Sequence, residues 1–184
     1  MRIIAGEYRG RRLLTPRGRI LRPTSERARE ALFNLLGERV IDATFLDICA
    51  GCGAVGLEAL SRGAQCATFI ERNMHCVRAL RANIKACGCE DRAKVLIGDA
   101  RKQLQQLLKS KEKFDIIFAD PPYESTLATE LLEWLSKRAQ LLTANGWLII
   151  QHASVNELPK MCGALNQLRV HRIGETSFSI YHRK

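Results

Sequence analysis

The sequence predicts an α/β fold: a doubly wound, mostly parallel sheet of seven strands with an antiparallel C-terminal hairpin, preceded by an N-terminal β-hairpin and a helix. Three observations predict it. From residue 44 onward, short apolar runs of strand length alternate with stretches in which apolar residues recur at helical spacing, the pattern of strands joined by crossover helices. Gly51-x-Gly53-x-x-Gly56 joins the first of these strands to the first of these helices, as a dinucleotide-type turn does. The last two apolar runs, 169–173 and 178–182, are separated only by a short turn around Gly174-Glu-Thr, too little chain for a crossover, so they pair antiparallel.

The elements follow in order. Residues 2–5 and 11–15 are short β-prone pieces around Gly6-Glu-Tyr-Arg-Gly10, a hairpin. Pro16, Gly18 and Pro23 break the chain, and a helix starts at Ser25, with Ala28, Ala31, Leu32, Leu35 and Leu36 on one face and Gly37 as its stop. Strands are expected at 44–49, 67–70, 94–97, 114–119 and 147–151. Helices are expected at 54–62, 73–87, 100–108 and 125–138, the second capped by Asn73. A further helix is expected near 155–165, before the closing hairpin. The chain divides into a basic hairpin appendage, 1–22, and one α/β domain, 23–184.

Charge is uneven. The net charge is +10, and the first 39 residues hold ten arginines, no lysine and four acids. Arginine's planar fork suits phosphate and stacks on bases, so Arg9, Arg11, Arg12, Arg17 and Arg22 are candidate RNA-binding residues beside the plainer reading of a solvated face. No apolar signal core or membrane span is present, and a cytoplasmic protein is expected. The seven cysteines are odd in number and lack zinc-site spacing, so no metal is expected; the four histidines are scattered, with only His152 placed near the cleft.

The chemistry gathers at strand ends. Asp47 lies inside the end of the first strand, Glu71 ends the second, and Asp99, with Ala100 beside it, ends the third. A carboxylate at the second strand's end can accept both ribose hydroxyls of a nucleotide. The fourth strand ends in Asp120-Pro121-Pro122-Tyr123. A nicotinamide or flavin enzyme accounts for the turn and Glu71 but not for this tetrapeptide.

Asp-x-x-x-Gly51-x-Gly53, Glu71, Asp99 and Asp-Pro-Pro-Tyr together resemble the class I S-adenosylmethionine-dependent methyltransferases, whose fold is Rossmann-like. The resemblance implies that S-adenosylmethionine is the cofactor, held by Gly51, Gly53 and Ala100, with Asp47 supporting the turn beside the methionine moiety, Glu71 on the ribose and Asp99 on the adenine amine. It also implies that Asp120, Pro121, Pro122 and Tyr123 are catalytic. An exocyclic base amine is a poor nucleophile because its lone pair is delocalised into the ring. Two acceptors, the Asp120 carboxylate and the Pro121 carbonyl, can take its N–H bonds and turn the lone pair toward the methyl group, while Tyr123 stacks on the base. The motif leaves adenine N6, cytosine N4 and guanine N2 open.

Arg22-Pro-Thr-Ser-Glu-Arg-Ala-Arg-Glu-Ala-Leu-Phe-Asn34, the opening Arg2-Ile-Ile-Ala-Gly6 and Leu57-Glu-Ala-Leu-Ser-Arg-Gly-Ala64 resemble the bacterial small-subunit (16S) ribosomal RNA guanine-N2 methyltransferases over essentially the whole chain. That resemblance implies a guanine N2 acceptor and Arg22 to Thr24 near the cofactor. With only a basic N-terminal appendage and no large recognition domain, an assembled or partly assembled 30S particle is the expected substrate, and a monomer is expected. Cys49 and Cys52 depart from it, at turn positions where an aromatic and a serine are expected. The alternatives are an adenine-N6 nucleic-acid methyltransferase and a non-catalytic ribosome-assembly module.

Overall fold

A computed structural model describes residues 1–16, 24–123 and 126–184. In chain order it contains α1 (Glu26–Leu36), β1 (Thr44–Ile48), α2 (Ala54–Ser61), β2 (Cys66–Glu71), α3 (Met74–Cys87), β3 (Ala93–Ile97), α4 (Ala100–Lys109) and β4 (Phe114–Ala119). There follow α5 (Leu127–Ser136), β5 (Leu142–Ala153), β6 (Met161–Cys162), β7 (Leu165–Ile173) and β8 (Thr176–Arg183). The strands form one sheet in the order β3-β2-β1-β4-β5-β8-β7-β6, parallel through the first five and antiparallel through the last three.

β1 and β4 carry near-continuous apolar runs because helices cover both of their faces. On one side Leu32, Phe33, Leu57, Leu60 and Leu80, from α1 to α3, pack against Phe45, Phe69 and Phe118. On the other, Leu104, Leu107, Leu131 and Leu135, from α4 and α5, pack against Leu46, Ile48, Ile117 and Ile150. Local signals start and stop the helices. The Ser25 hydroxyl accepts Ala28 N–H, Asn73 accepts His75 and Cys76 N–H, and Gly88 ends α3 at φ +67°.

Three expectations need correction. No helix occupies 155–165: Pro159 withdraws an amide and disfavours helix before it, the Tyr181 hydroxyl donates to Pro159 O at 2.8 Å, and Gln167 N–H donates to Lys160 O. The segment turns after β5 and continues without a helix into β6, which adds an eighth strand to the seven expected. β5 starts at Leu142 rather than Trp147. Against β4 its register jumps from Phe114↔Leu142 to Ile116↔Trp147, so the Asn145-Gly146 turn is a bulge within a longer strand.

The N-terminal hairpin pairs through one bridge, Arg2↔Arg12, with Leu13 N–H on Met1 O and Ile3 N–H on Arg11 O. Ile3, Tyr8 and Leu13 are buried in the same core as α1 to α3. Its anchor is Glu58 of α2, wholly buried. The Glu58 carboxylate accepts Ile4 N–H at 2.9 Å, Ala5 N–H at 3.0 Å, Arg62 Nε at 2.8 Å and Arg29 Nε at 3.4 Å. Arg29, also buried, donates onward to Arg2 O. A buried carboxylate is tolerated here because every oxygen is paired.

Candidate active site

Strand order reverses between β1 and β4: β2 and β3 are laid down on one side of β1, β4 and β5 on the other. Open α/β sheets bind ligands at such a switch point, above the strands' C-terminal ends. Ile48 pairs with Ala119, and Asp120 N–H donates to Ile48 O at 3.2 Å, so the glycine turn and Asp-Pro-Pro-Tyr leave the sheet side by side.

The β1–β2 side is held by backbone amides. Asp47 is buried, and its Oδ2 accepts Gly56 N–H at 2.9 Å, which ties α2 to the strand. Burial pushes the Asp47 acid up to about 8, with Asp120 and Glu71 adding to the shift and the Gly56 N–H opposing it. Glu71 Oε2 accepts Gly51 N–H at 2.8 Å, and its Oε1 accepts the N–H groups of Arg72 and Asn73 at 2.8 and 2.7 Å. A carboxylate offers about four lone-pair sites, so one remains for a ligand hydroxyl. Gly53 starts α2 in the left-handed region, φ +84°, where an added Cβ would meet Leu80 at 2.3 Å; a Cβ on Gly51 would meet nothing within 4 Å. The turn is therefore closed toward the protein and open toward the cleft. Asp99 caps α4, with Oδ1 accepting Arg101 and Lys102 N–H, and is exposed; Ala100 is the helix's buried first residue. These groups fit an adenosine-bearing cofactor: an open glycine turn, a lone pair at the end of β2 and a second acceptor at the end of β3.

Cys49 takes φ +63° in this turn, and burial, then Glu71, Asp120 and Asp47, push its thiol up to about 12. It is an inert thiol at neutral pH. All seven cysteines are unpaired, and among the described residues no group of three His, Cys, Asp or Glu can hold a metal ion.

The β4–β5 side is held by side chains. Thr24, buried just before α1, lies with Oγ1 2.8 Å from Asp120 Oδ2 and 3.1 Å from Gln151 Oε1. Gln151 Nε2 donates to the Tyr123 hydroxyl at 3.0 Å, and that hydroxyl lies 2.9 Å from Thr176 Oγ1. Burial pushes the Asp120 acid up to about 7, with the Thr24 hydroxyl drawing it back toward the ionised form. Pro121 is buried, Pro122 exposed and Tyr123 half-buried. The three border a cavity of about 400 Å³ that Thr129, Gln151, His152, Asn156 and Leu158 also line. His152 is itself buried, with its ring nitrogens on Ala153 O and Ser179 Oγ, and burial lowers its proton affinity.

The sequence reading missed Gln151 and Thr176. Gln151 carried a signal: it is the polar residue ending the apolar run Leu148–Ile150, and Ala119 pairs with Ile150, so Gln151 falls beside Asp120. Arg9, Arg11 and Arg12 are exposed on the hairpin, while Arg17 and Arg22 lie outside the described residues. Arg11 is not free, since its guanidinium donates to Ala86 O at the end of α3.

Comparison with known proteins identifies the family. Ribosomal RNA small subunit methyltransferase D of Escherichia coli K12 is 35% identical over 190 residues, covering 100% of this chain and 90% of that protein. A hypothetical protein of Thermus thermophilus superposes with a TM-score of 0.85 at 32% identity, covering 99% of each chain. An RNA methyltransferase from Salinibacter ruber, solved with S-adenosyl-L-homocysteine, shares the fold at TM-score 0.66 and 15% identity, over 86% of this chain and 91% of that one. The profile of the family described as conserved hypothetical protein 95 matches residues 1–182. By that match over nearly its whole length and by the identity to the Escherichia coli protein, the chain belongs to the conserved hypothetical protein 95 family, together with the small-subunit ribosomal RNA methyltransferase D proteins.

Proposed function

We propose that the protein transfers a methyl group from S-adenosylmethionine to the exocyclic N2 of a guanine in small-subunit (16S) ribosomal RNA. The observation that carries this reading is the placement of Asp120, at the end of β4, immediately beside the glycine turn at the end of β1.

The cofactor, when bound, supplies an electrophilic methyl group on a sulfonium. Gly51, Gly53, Glu71, Asp99 and Ala100 bind and orient it, and Asp47 holds α2 so that the turn keeps its shape. Asp120 and the Pro121 carbonyl accept the two N–H bonds of the base amine, which favours a pyramidal nitrogen with its lone pair toward the methyl group. The two prolines fix φ near −65° and remove competing donors. Tyr123 supports the base at the mouth of the 400 Å³ cavity. The amine nitrogen becomes acidic only as the new N–C bond forms and the C–S bond breaks. A carboxylate whose acid is raised to about 7 can then hold the released proton.

Residues 1–22 form the RNA-facing element and 23–184 the catalytic domain. Arg9, Arg11, Arg12, Arg17 and Arg22 meet phosphates, and α3 continues the basic surface. Its 14 residues include no acid, and Arg78, Arg81 and Lys85 are exposed along it. The substrate is an assembled or partly assembled 30S particle, and the enzyme acts as a monomer in the cytoplasm. Small subunits isolated without the modification, incubated with enzyme and cofactor and digested to nucleosides, should yield N2-methylguanosine by mass spectrometry. N6-methyladenosine would move the acceptor to adenine, no methylation at all would favour the assembly module, and efficient methylation of a short naked hairpin would remove the requirement for the particle.

A further inference from the structure

Four residues distant in sequence, Thr24, Asp120, Gln151 and Thr176, meet around Tyr123, and the count of protons in that chain of contacts is informative. Thr24 Oγ1 has two oxygen acceptors within reach, Asp120 Oδ2 at 2.8 Å and Gln151 Oε1 at 3.1 Å, but only one proton to give. When Asp120 is ionised the proton goes to the carboxylate, the stronger acceptor, and Gln151 Oε1 faces a lone pair. When Asp120 carries a proton on Oδ2, the acid donates to Thr24, Thr24 to Gln151, Gln151 Nε2 to Tyr123 and Tyr123 to Thr176. Every contact then holds one proton. Gln151 therefore favours the protonated acid, and the Thr24 hydroxyl the ionised one.

We infer that Gln151 is a positioning residue that acts on Asp120 through Thr24, setting how firmly the catalytic acid holds its proton while fixing the Tyr123 ring. Gln151 is suited to this because it is buried, on a central strand, and spans the acid's partner and the base's platform with one rigid amide. Asp47 and Cys49 lie near enough to feel the charge of Asp120, and both also feel Glu71; Gln151 substitutions leave all three in place. His152, the next residue on β5, engages Ala153 O and Ser179 instead. The inference rests on the proposed role of Asp120 as the group facing the amine.

The test is the pH dependence of kcat/KM for small subunits at saturating cofactor, which reports the enzyme before RNA binds. Gln151→Leu should move the acidic limb to lower pH by about half to one pH unit, the size expected for one lost hydrogen bond. Thr24→Val should move it upward by a similar amount, Thr24→Ser should leave it in place, and Thr24→Val/Gln151→Leu should match Thr24→Val alone. A merely structural Gln151 would lower rates without this opposition of signs, and a limb that stays put in Gln151→Leu, or moves the same way as in Thr24→Val, overturns the inference. If Gln151→Leu does not fold, the isosteric Gln151→Glu decides: its added charge should push the limb upward, and an unmoved limb overturns the inference. Carboxyl ¹³C shifts of Asp120, assigned with Asp120→Asn, read the same titration without turnover. Failure to make N2-methylguanosine would thus sink the guanine reading and leave the Gln151 result standing or falling by itself.

Discussion

The two halves of the cleft are built by different means. On the β1–β2 side the carboxylates of Asp47 and Glu71 are satisfied by main-chain amides, at Gly56, Gly51, Arg72 and Asn73. On the β4–β5 side Asp120 meets a hydroxyl from Thr24, and the other contacts run through Gln151, Tyr123 and Thr176. Backbone N–H groups fix a shape with donors that neither turn nor give up their protons. Side-chain hydroxyls and amides can reorganise as a proton comes and goes. The difference suits the proposed roles, a rigid seat for the cofactor beside a responsive seat for the reacting amine, and each seat should fail in its own way.

The sharpest separation, and the largest effect, is expected at Asp120. Asp120→Ala should lower kcat at least about 100-fold, since an acceptor aimed at the reacting nitrogen is lost. Binding of S-adenosylhomocysteine, measured by calorimetry, should change by less than about threefold, or roughly 0.6 kcal/mol. Turnover that survives Asp120→Ala would remove the lone-pair mechanism. A matching collapse in cofactor affinity would show the two seats to be one.

Sequence reasoning served these halves unequally, for a physical reason. The β1–β2 seat is local: a strand, a turn, a helix and an acid at the next strand's end have regular spacings, so Asp47, Gly51, Gly53 and Glu71 were legible, as was the parallel sheet. The β4–β5 network is non-local. Thr24 and Gln151 are 127 residues apart, and only the register of β4 against β5 and the entry of α1 bring them together. Asp120 and Tyr123 were legible from their motif, whereas Gln151 belongs to no motif and is placed only by the strand register. The same distinction explains the errors of fold. Pro159 was a local warning against a helix at 155–165. The hairpin that carries the buried Ile3, Tyr8 and Leu13 is held at Ile4 and Ala5 by Glu58, more than 50 residues from either.

The rigid half can be broken at Gly56. A Cβ there would stand 2.3 Å from Cε1 of Phe69, a wholly buried ring on β2 with little room to yield. Gly56→Ala should therefore cost about 1–3 kcal/mol of stability by overpacking. At about 2–4 °C per kcal/mol for a domain of this size, the loss is visible by calorimetry. Because Gly56 N–H bonds Asp47, pushing α2 off the sheet also distorts the turn. Cofactor affinity should fall, while kcat at saturating cofactor stays within a few-fold of wild type. A variant that binds cofactor normally would show the turn to be less dependent on close helix–strand contact than Asp47 and Gly53 suggest.

The smallest effect lies outside both seats, on the surface proposed to meet the RNA. Arg78, Arg81 and Lys85 lie at i, i+3 and i+7 of α3, exposed, and make no ion pair with a carboxylate among the described residues. The hairpin is fastened to this helix: Leu14 N–H donates to Asn83 Oδ1 at 2.7 Å, Asn83 Nδ2 returns a bond to Leu14 O at 3.0 Å, and Arg11 reaches Ala86 O. Asn83 Nδ2 also donates to Cys52 O at 2.9 Å, so the same side chain joins hairpin, helix and glycine turn. Charges that meet phosphates release counterions, and each lost contact flattens the dependence of log K on log salt by roughly 0.7 to 0.9. Replacing all three cations with glutamine should flatten that slope by about two. KM for small subunits should rise several-fold near physiological salt, with cofactor affinity and melting temperature unchanged. An unaltered slope would make this face of α3 a solvated surface and confine the RNA contacts to the hairpin, whereas a changed melting temperature would mean that the three cations help to seat the hairpin itself.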